Sequence, residues 1–468
     1  MRRMLAITLL LFLSLVDLSA LEMKAGVSKI VISPPDMERK PVSVMGAPLE
    51  GIAHDLYARI LVLNDGERRM VFVANDLNCL DVATSLLRVR LRDELGIPPA
   101  YFIPLATHNH SAPIQIVPDN FPYGRWLSER IFQGIEQAIA SETGPVQVQF
   151  GSGAAYFLKS VGNAPVDYEV QLLKVTQGEQ PVALFFNHPT HPMQIDIEKA
   201  QTPYRIETGH PGLAVEEVER RIPGALALYA DAAGGNQFTK ELMEGAPERV
   251  EAVAKELADA VCAIGPAALR DVSGPLSSEL KVIPLSLAPP ISREDAQRLA
   301  EDAHKRFPDV EGFVPYPNPA RDTNWIRSLI KHYDEGIPFP KRTTDLVCSD
   351  DGFLMTKPAD AREFPCTYEE TIVSKIGPFI FVAMQGEVCS PIAMRIKDAF
   401  RYEHPIMVNA YMGEHNLYIP TRELVRLNLY QARVIQTQYA SPVGWAASVE
   451  DEMVGGVCQM IRDALREN

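Results

Sequence analysis

Apolar positions along the chain recur with two different periods, and their alternation predicts layers of strands and helices. Arg59 to Leu63 and Met70 to Ala74 are short apolar runs separated by Asn64-Asp65-Gly66. Residues that tolerate positive φ in that gap predict a hairpin. Leu80 to Leu95 has the spacing of an amphipathic helix and stops at Gly96, a natural C-terminal cap. Tyr101 to Ala106 predicts a strand running into Thr107-His108-Asn109-His110, then Trp126 to Ser141 a helix and Val146 to Phe150 a strand. A second hairpin pairs Val170 to Thr176 with Pro181 to Phe186 across Gln177-Gly178-Glu179, and delivers Asn187 and His188. Gly212 to Arg221 reads as a helix with Pro211 acceptable in its first turn. Leu226 to Ala230 is a strand leading into Asp231-Ala232-Ala233-Gly234-Gly235-Asn236, and Glu248 to Ile264 is a helix.

The next stretch is less regular. Ser292 to Phe307 predicts a helix opened by a capping box of Ser292 with Asp295, and loops rich in proline surround Pro315, Pro317, Pro338 and Pro340. A third hairpin joins Glu370 to Lys375 with Phe379 to Met384 across Ile376-Gly377-Pro378 and ends at Gln385-Gly386-Glu387. A helix from Ile392 to Arg401, a strand from Ile406 to Ala410, and helices near Glu423–Thr437 and Val449–Arg466 complete the chain. Hairpins interleaved with βαβ order predict the α/β class, with mixed sheet layers and flanking helices. The sequence shows no repeat of fixed period and no low-complexity linker, so one domain over residues 21–468 is expected after a leader of residues 1–20.

The leader expectation rests on Arg2 and Arg3, the Leu-rich stretch from Met4 to Val16, and the small residue ending Leu18-Ser19-Ala20. The apolar run is too short for a comfortable membrane span, which needs about 20 residues. It predicts an exported protein with no integral membrane segment once the leader is removed. A formal charge of −15 argues against a nucleic-acid backbone or an anionic membrane surface as partner. In an exported protein the six cysteines permit disulfides, and Cys348 with Cys366 is the expected pair. None has CxxC spacing, so a cysteine zinc site is not expected.

The chemistry sits where predicted strands end. Zinc takes imidazole nitrogen and carboxylate oxygen, and a catalytic site keeps one position open for water. Three predicted strands end at such residues: His108, His188 and Glu387. On an extended segment His108 and His110, two apart, point to one face, either as two ligands or as one ligand and one acid–base group. His188 and His191 lie in the rigid loop Asn187-His188-Pro189-Thr190-His191-Pro192. A carboxylate at a buried strand end, as at Glu387, is costly unless paired or metal-bound. The small-residue turn from Asp231 to Asn236 is suited to backbone N–H donation toward a ligand. The chain contains no GxSxG elbow, no P-loop and no HExxH.

Together these segments resemble the neutral/alkaline ceramidase family in its zinc-dependent catalytic domain. The resemblance runs in order through Ala25-Gly26-Val27 with Ser33-Pro34-Pro35, Met45-Gly46, Leu56-Tyr57-Ala58-Arg59 and Asn75-Asp76-Leu77. It continues through Thr107-His108-Asn109-His110-Ser111-Ala112-Pro113, Phe186-Asn187-His188-Pro189, Gln385-Gly386-Glu387 and Leu417-Tyr418-Ile419-Pro420-Thr421. It implies one zinc held by His108, His188, Glu387 and Tyr418, an active-site histidine at His110 and a second active-site tyrosine at Tyr430. The spacing of twelve residues from Tyr418 to Tyr430 matches the family's, while His415 stands as an alternative fourth ligand. The family carries a serine in the turn that corresponds to Asp231–Asn236, and this chain has none there. The implied activity is metal-assisted hydrolysis of an amide in a small or lipid-like N-acyl substrate other than ceramide, with an ester as the nearest variant. His110 is expected as acid–base group, Tyr430 as oxyanion donor, and Gly234 and Asn236 as flanking donors. The missing serine also leaves open a metal-containing binding protein of the same fold.

Overall fold

The computed structural model describes residues 22–44, 46, 48–115, 118–193, 204–245, 249–305, 321–339, 342–348, 354–361, 366–413 and 417–466. The expected leader, His415 and the side chain of Cys348 lie outside the described residues. The chain is α/β, as expected, and its three larger sheets share one plan. In the first sheet, Lys24–Val31, Tyr57–Asn64 and Arg69–Asn75 form an antiparallel meander; a helix, Val82–Leu95, then crosses over to a parallel fourth strand, Phe102–Ala106. The second sheet repeats this with Gln147–Ala154, Glu169–Gln177 and Gln180–His188, the helix Gly209–Arg221, and the parallel strand Leu226–Asp231. The third does so with Leu276–Ser286, Cys366–Ile376 and Phe379–Met384, the helix Ser390–Phe400, and the parallel strand Ile406–Asn409. The three hairpin turns carry Gly66, Gly178 and Gly377 at φ of 94°, 58° and 53°, which is why Gly occupies each. Internal repetition is therefore present in the structure although the sequence has no period.

The inner faces of the three sheets meet in one core. Phe72, Phe185 and Phe381 lie one on each third strand, with ring centroids 5.8, 5.1 and 5.7 Å apart, so each touches the other two. Outer faces pack on helices. Ile60, Val62 and Val73 meet Leu87, Leu127 and Ile131; Leu184, Phe186 and Tyr229 meet Val215, Val218 and Leu257; Val373, Val382 and Val408 meet Ile392, Ile396 and Val457. Burial on both faces explains why runs such as Ile60-Leu61-Val62-Leu63 are continuously apolar rather than alternating.

Charged contacts from the crossover helices tie each unit to another. Arg88 reaches Glu370 of the third sheet at 2.6 Å. Lys397 reaches Glu169 of the second at 2.8 Å and Asp167 at 2.5 Å. Glu219 reaches Lys29 of the first at 2.8 Å. The Arg88 and Lys397 pairs are nearly closed to solvent, where removing one partner costs about 3–5 kcal/mol.

Most predicted elements are present with shifted ends. The helix expected from Trp126 begins at Phe121, with Pro122 in its first turn. The span Glu423–Thr437 is two helices, Arg422–Arg426 and Tyr430–Thr437, parted where Asn428 takes φ 50°. The helix Arg321–Glu335 and the paired strands Arg342–Cys348 and Leu354–Ala361 were not expected; they lie in the stretch that prolines made irregular to read.

Candidate metal centre

All three sheets send residues to one place, at the C-terminal ends of their third and fourth strands. From the first comes Thr107-His108-Asn109-His110, which continues the ladder through Thr107 N–H to Asn75 O at 3.0 Å and Asn109 N–H to Leu77 O at 3.0 Å. His108 itself is left-handed, with φ 56°, not extended as the sequence suggested. The two rings converge through that turn rather than through strand alternation, their centroids 4.8 Å apart. Asn109 pins the turn, donating to Glu207 O at 2.6 Å and Asp76 O at 3.1 Å while accepting Ser111 N–H at 2.9 Å.

The second sheet contributes His191. Its N–H bonds Gln237 O at 2.8 Å, and the Gln237 amide holds Pro189 O at 2.8 Å, which straps the loop to the strand Gln237–Thr239. The third sheet contributes Glu387, placed by Gly386 at φ 84°, where a Cβ would stand 2.8 Å from Leu417 O. Glu387 then pairs in parallel register with Tyr418, so a carboxylate and a phenol enter the site side by side.

Distances among these groups fit one ion. His108 Nε2 lies 3.2 Å from His110 Nε2 and 3.2 Å from Glu387 Oε2. His191 Nδ1 lies 3.7 Å from the same carboxylate oxygen, and His191 Nε2 3.4 Å from the Tyr418 hydroxyl. Ligand atoms around a tetrahedral zinc are about 3.3 Å from one another, given bonds of about 2.0–2.1 Å. Ligand atoms of His108, His110 and His191 all fall within 4.8 Å of each other, and all three rings are buried. His191 Nδ1 is buried without a hydrogen-bond partner, as expected of an atom whose partner is a cation. Burial, then the neighbouring His108 and His110, hold the His191 imidazolium well below the usual range, so its lone pairs are available at neutral pH. Burial, then Glu387, push the Tyr418 phenol well up.

A search of solved structures matches neutral ceramidase from Pseudomonas aeruginosa, with a TM-score of 0.66 over 96% of this chain and 75% of that chain at 16% identity. The fold is that of neutral ceramidase. A ceramidase complexed with C2 matches equally, with a TM-score of 0.66, 17% identity, and coverage of 96% and 76%. A scan against family models finds no match, and a search of curated proteins finds none. At these identities the likeness is one of fold.

Within this ceramidase-like fold the residues expected at the site are not all brought together. His108, His110, Glu387 and Tyr418 are. Tyr430 stands at the rim, 42% exposed, its ring centroid 5.8 Å from that of Tyr418. His188 is not in the cluster. It shares the outer face of its strand with Leu184 and Phe186, because side chains alternate along a strand. Its Nδ1 bonds the Thr190 hydroxyl, its ring packs 4.8 Å from Phe157, and burial pulls its pKa down to about 3. Of that loop's two histidines, His191 is the one in the cluster.

The turn after Leu226–Asp231 also differs from expectation. Gly234 N–H is bonded to Ala232 O at 2.8 Å and Gly235 N–H to Val388 O at 3.0 Å, so neither is offered to a ligand. A Cβ on Gly235 would lie 2.4 Å from Glu387 O. The Asn236 carbonyl accepts Val161 N–H at 2.9 Å and its side-chain oxygen accepts Ser390 N–H at 2.7 Å, at the start of the helix Ser390–Phe400. This turn therefore packs against and bonds to the segment from Glu387 to Ser390. Two further residues, Asn78 and Tyr411, touch His108. No short motif marks either of them.

Proposed function

We propose that the chain is an exported zinc-dependent hydrolase of amide bonds in small or lipid-like N-acyl compounds. The observation that carries the reading is the cluster of His108, His110 and His191, two of which approach Glu387 Oε2, at the meeting point of three sheets. A nitrogen-rich donor set with one carboxylate suits zinc. A closed four-ligand site would be structural, so a catalytic one leaves one of these groups off the ion. We assign the ion to His108, His191 and Glu387, with Tyr418 beside them. His110 is the most exposed of the three imidazoles, at 8% against 1% for each of the others, and it takes the acid–base role. Bound there, the cation supplies a water of lowered pKa and polarises a carbonyl oxygen. His110 then moves the proton between that water and the leaving amine, while the rim phenol of Tyr430 donates to the developing oxyanion.

The test is metal content and turnover together. Purified protein should hold about one zinc per chain and hydrolyse members of a panel of N-acyl amines and esters in a chelator-sensitive way. Metal-free protein with unimpaired turnover would sink the reading. A second reading, a metal-containing binding protein, draws on the turn from Asp231 to Asn236, which has no hydroxyl and whose Gly234 and Gly235 N–H groups are already bonded. Zinc-loaded protein that binds an N-acyl ligand but turns over none of the panel would favour it.

A further inference from the structure

We infer that Tyr411 is a positioning residue for the metal centre, holding the imidazole of His108 in the plane that aims Nε2 at the cluster. This rests on the metal-binding reading above. Three observations support it. The rings of Tyr411 and His108 are in close, tilted contact, with centroids 4.2 Å apart and planes at 34°. Both residues are left-handed, at φ 55° and 56°, a conformation that costs a residue other than glycine about 1–2 kcal/mol.

The segment from Ala410 to Gly413 is bonded to strands of the first and second sheets and to the turn that follows the third strand of the third. Ala410 N–H reaches Asp231 O at 3.2 Å, Tyr411 N–H reaches Gly386 O at 3.2 Å, and Gly413 N–H reaches Pro104 O at 2.9 Å. Met412 also bridges Leu105, in the strand that leads to His108. The ring of Tyr411 is therefore fixed relative to His108 and Glu387 at once.

For stability alone, a residue other than glycine is a poor choice at this backbone position. Strain retained at a site points to function. The remaining freedom of the imidazole, rotation within its plane, is limited by Asn78, whose amide nitrogen lies 3.1 Å and whose carbonyl oxygen lies 3.4 Å from Nδ1. With Nε2 on a cation, Nδ1 carries the proton and donates, so Asn78 must present an oxygen there.

The experiment compares Tyr411→Phe, which keeps the ring, with Tyr411→Asn, which removes it while suiting a left-handed backbone. Affinity for Zn²⁺ is read by chelator competition and ligand geometry by the visible spectrum of the Co²⁺ form. The Phe variant should match wild type in both. The Asn variant should bind about 10- to 100-fold more weakly, with a changed Co²⁺ band. If circular dichroism shows the Asn variant unfolded, Tyr411→Leu repeats the test with bulk retained and planarity lost. Wild-type affinity and spectrum in the ring-less variant would overturn the inference, as would a Phe variant as impaired as the Asn one. Wild type that binds neither metal would instead overturn the metal reading on which it stands.

Discussion

His108 and His110 lie two residues apart and His188 and His191 three, and each pair lies at the end of a strand of a central sheet. In the first pair both rings enter the cluster; in the second only His191 does. The difference is one of phase. The first pair begins two residues beyond its strand, where a left-handed turn at His108 frees the chain from the pleat. His188 is still the last residue of its strand and is bound by alternation to the outer face, among Phe157, Phe186 and the helix that begins at Gly209. Only after Pro189 and Thr190 can the chain return a side chain to the centre. A histidine at a strand's end is thus a ligand or a core residue according to parity, which the motif alone does not reveal.

The sharpest way to break this comparison is a pair of substitutions. His191→Gln should lose bound metal and lower kcat/KM by about 10³-fold or more, the loss of several kcal/mol of charge stabilisation. His188→Gln should keep the metal and most of the activity while lowering thermal stability. Metal analysis and kinetics on the two proteins check both statements. The reverse pattern would restore His188 as the ligand.

How much of this was legible follows the same line. The three hairpins, their glycines and the strands they join were readable because turn chemistry and apolar runs are local signals. His108 and Glu387 were readable because a polar group at the end of an apolar strand is conspicuous. His191 was in view, and the needed signal was present: Ala183 and Phe185 face the central core while Leu184 and Phe186 face helices, so His188 falls with the latter. That assignment requires knowing which face is inner, which depends on residues of other sheets. Tyr411 had no local signal, since its role comes from its contacts with His108 and Gly386 and its neighbours' bonds to Asp231 and Pro104 across the chain. The threefold plan was hidden because connections of different lengths separate the equivalent strands.

Acidification distinguishes the two pairs next. The native His188 imidazole titrates at about 3, against an ordinary value of 6.5, because it is buried. Below 6.5 the unfolded chain binds this proton and the native chain does not. Stability from this group is therefore complete above pH 6.5 and is lost as pH falls toward 3, by on the order of 4 kcal/mol. Urea denaturation of metal-free protein between pH 7 and 4 should show a shallower decline for His188→Gln than for wild type. Equal slopes would mean that His188 is not closed off as described.

The turn that packs against Glu387 gives a smaller effect. Gly235→Ala puts a methyl 2.4 Å from Glu387 O, and backbone must move to admit it. An expected loss of about 2–3 kcal/mol by urea denaturation, with weakened metal binding, would mark the turn as a support for the carboxylate. The same substitution would have little effect on stability if the turn were an open binding loop.

The smallest effect tests what anchors the second segment. The Tyr229 hydroxyl lies 2.9 Å from His188 O and 2.7 Å from Asp231 Oδ1, all within the buried outer face. One phenolic proton cannot serve both acceptors fully. The phenol shares its proton between the His188 carbonyl and the Asp231 carboxylate, and burial pushes the Asp231 carboxyl well up. Tyr229→Phe removes that shared donor and should cost about 1–2 kcal/mol, with metal affinity nearly unchanged because His191 is held separately by Gln237. A large loss of metal affinity in Tyr229→Phe would show that His188 and His191 move together, and that the two ends of the loop are not independent.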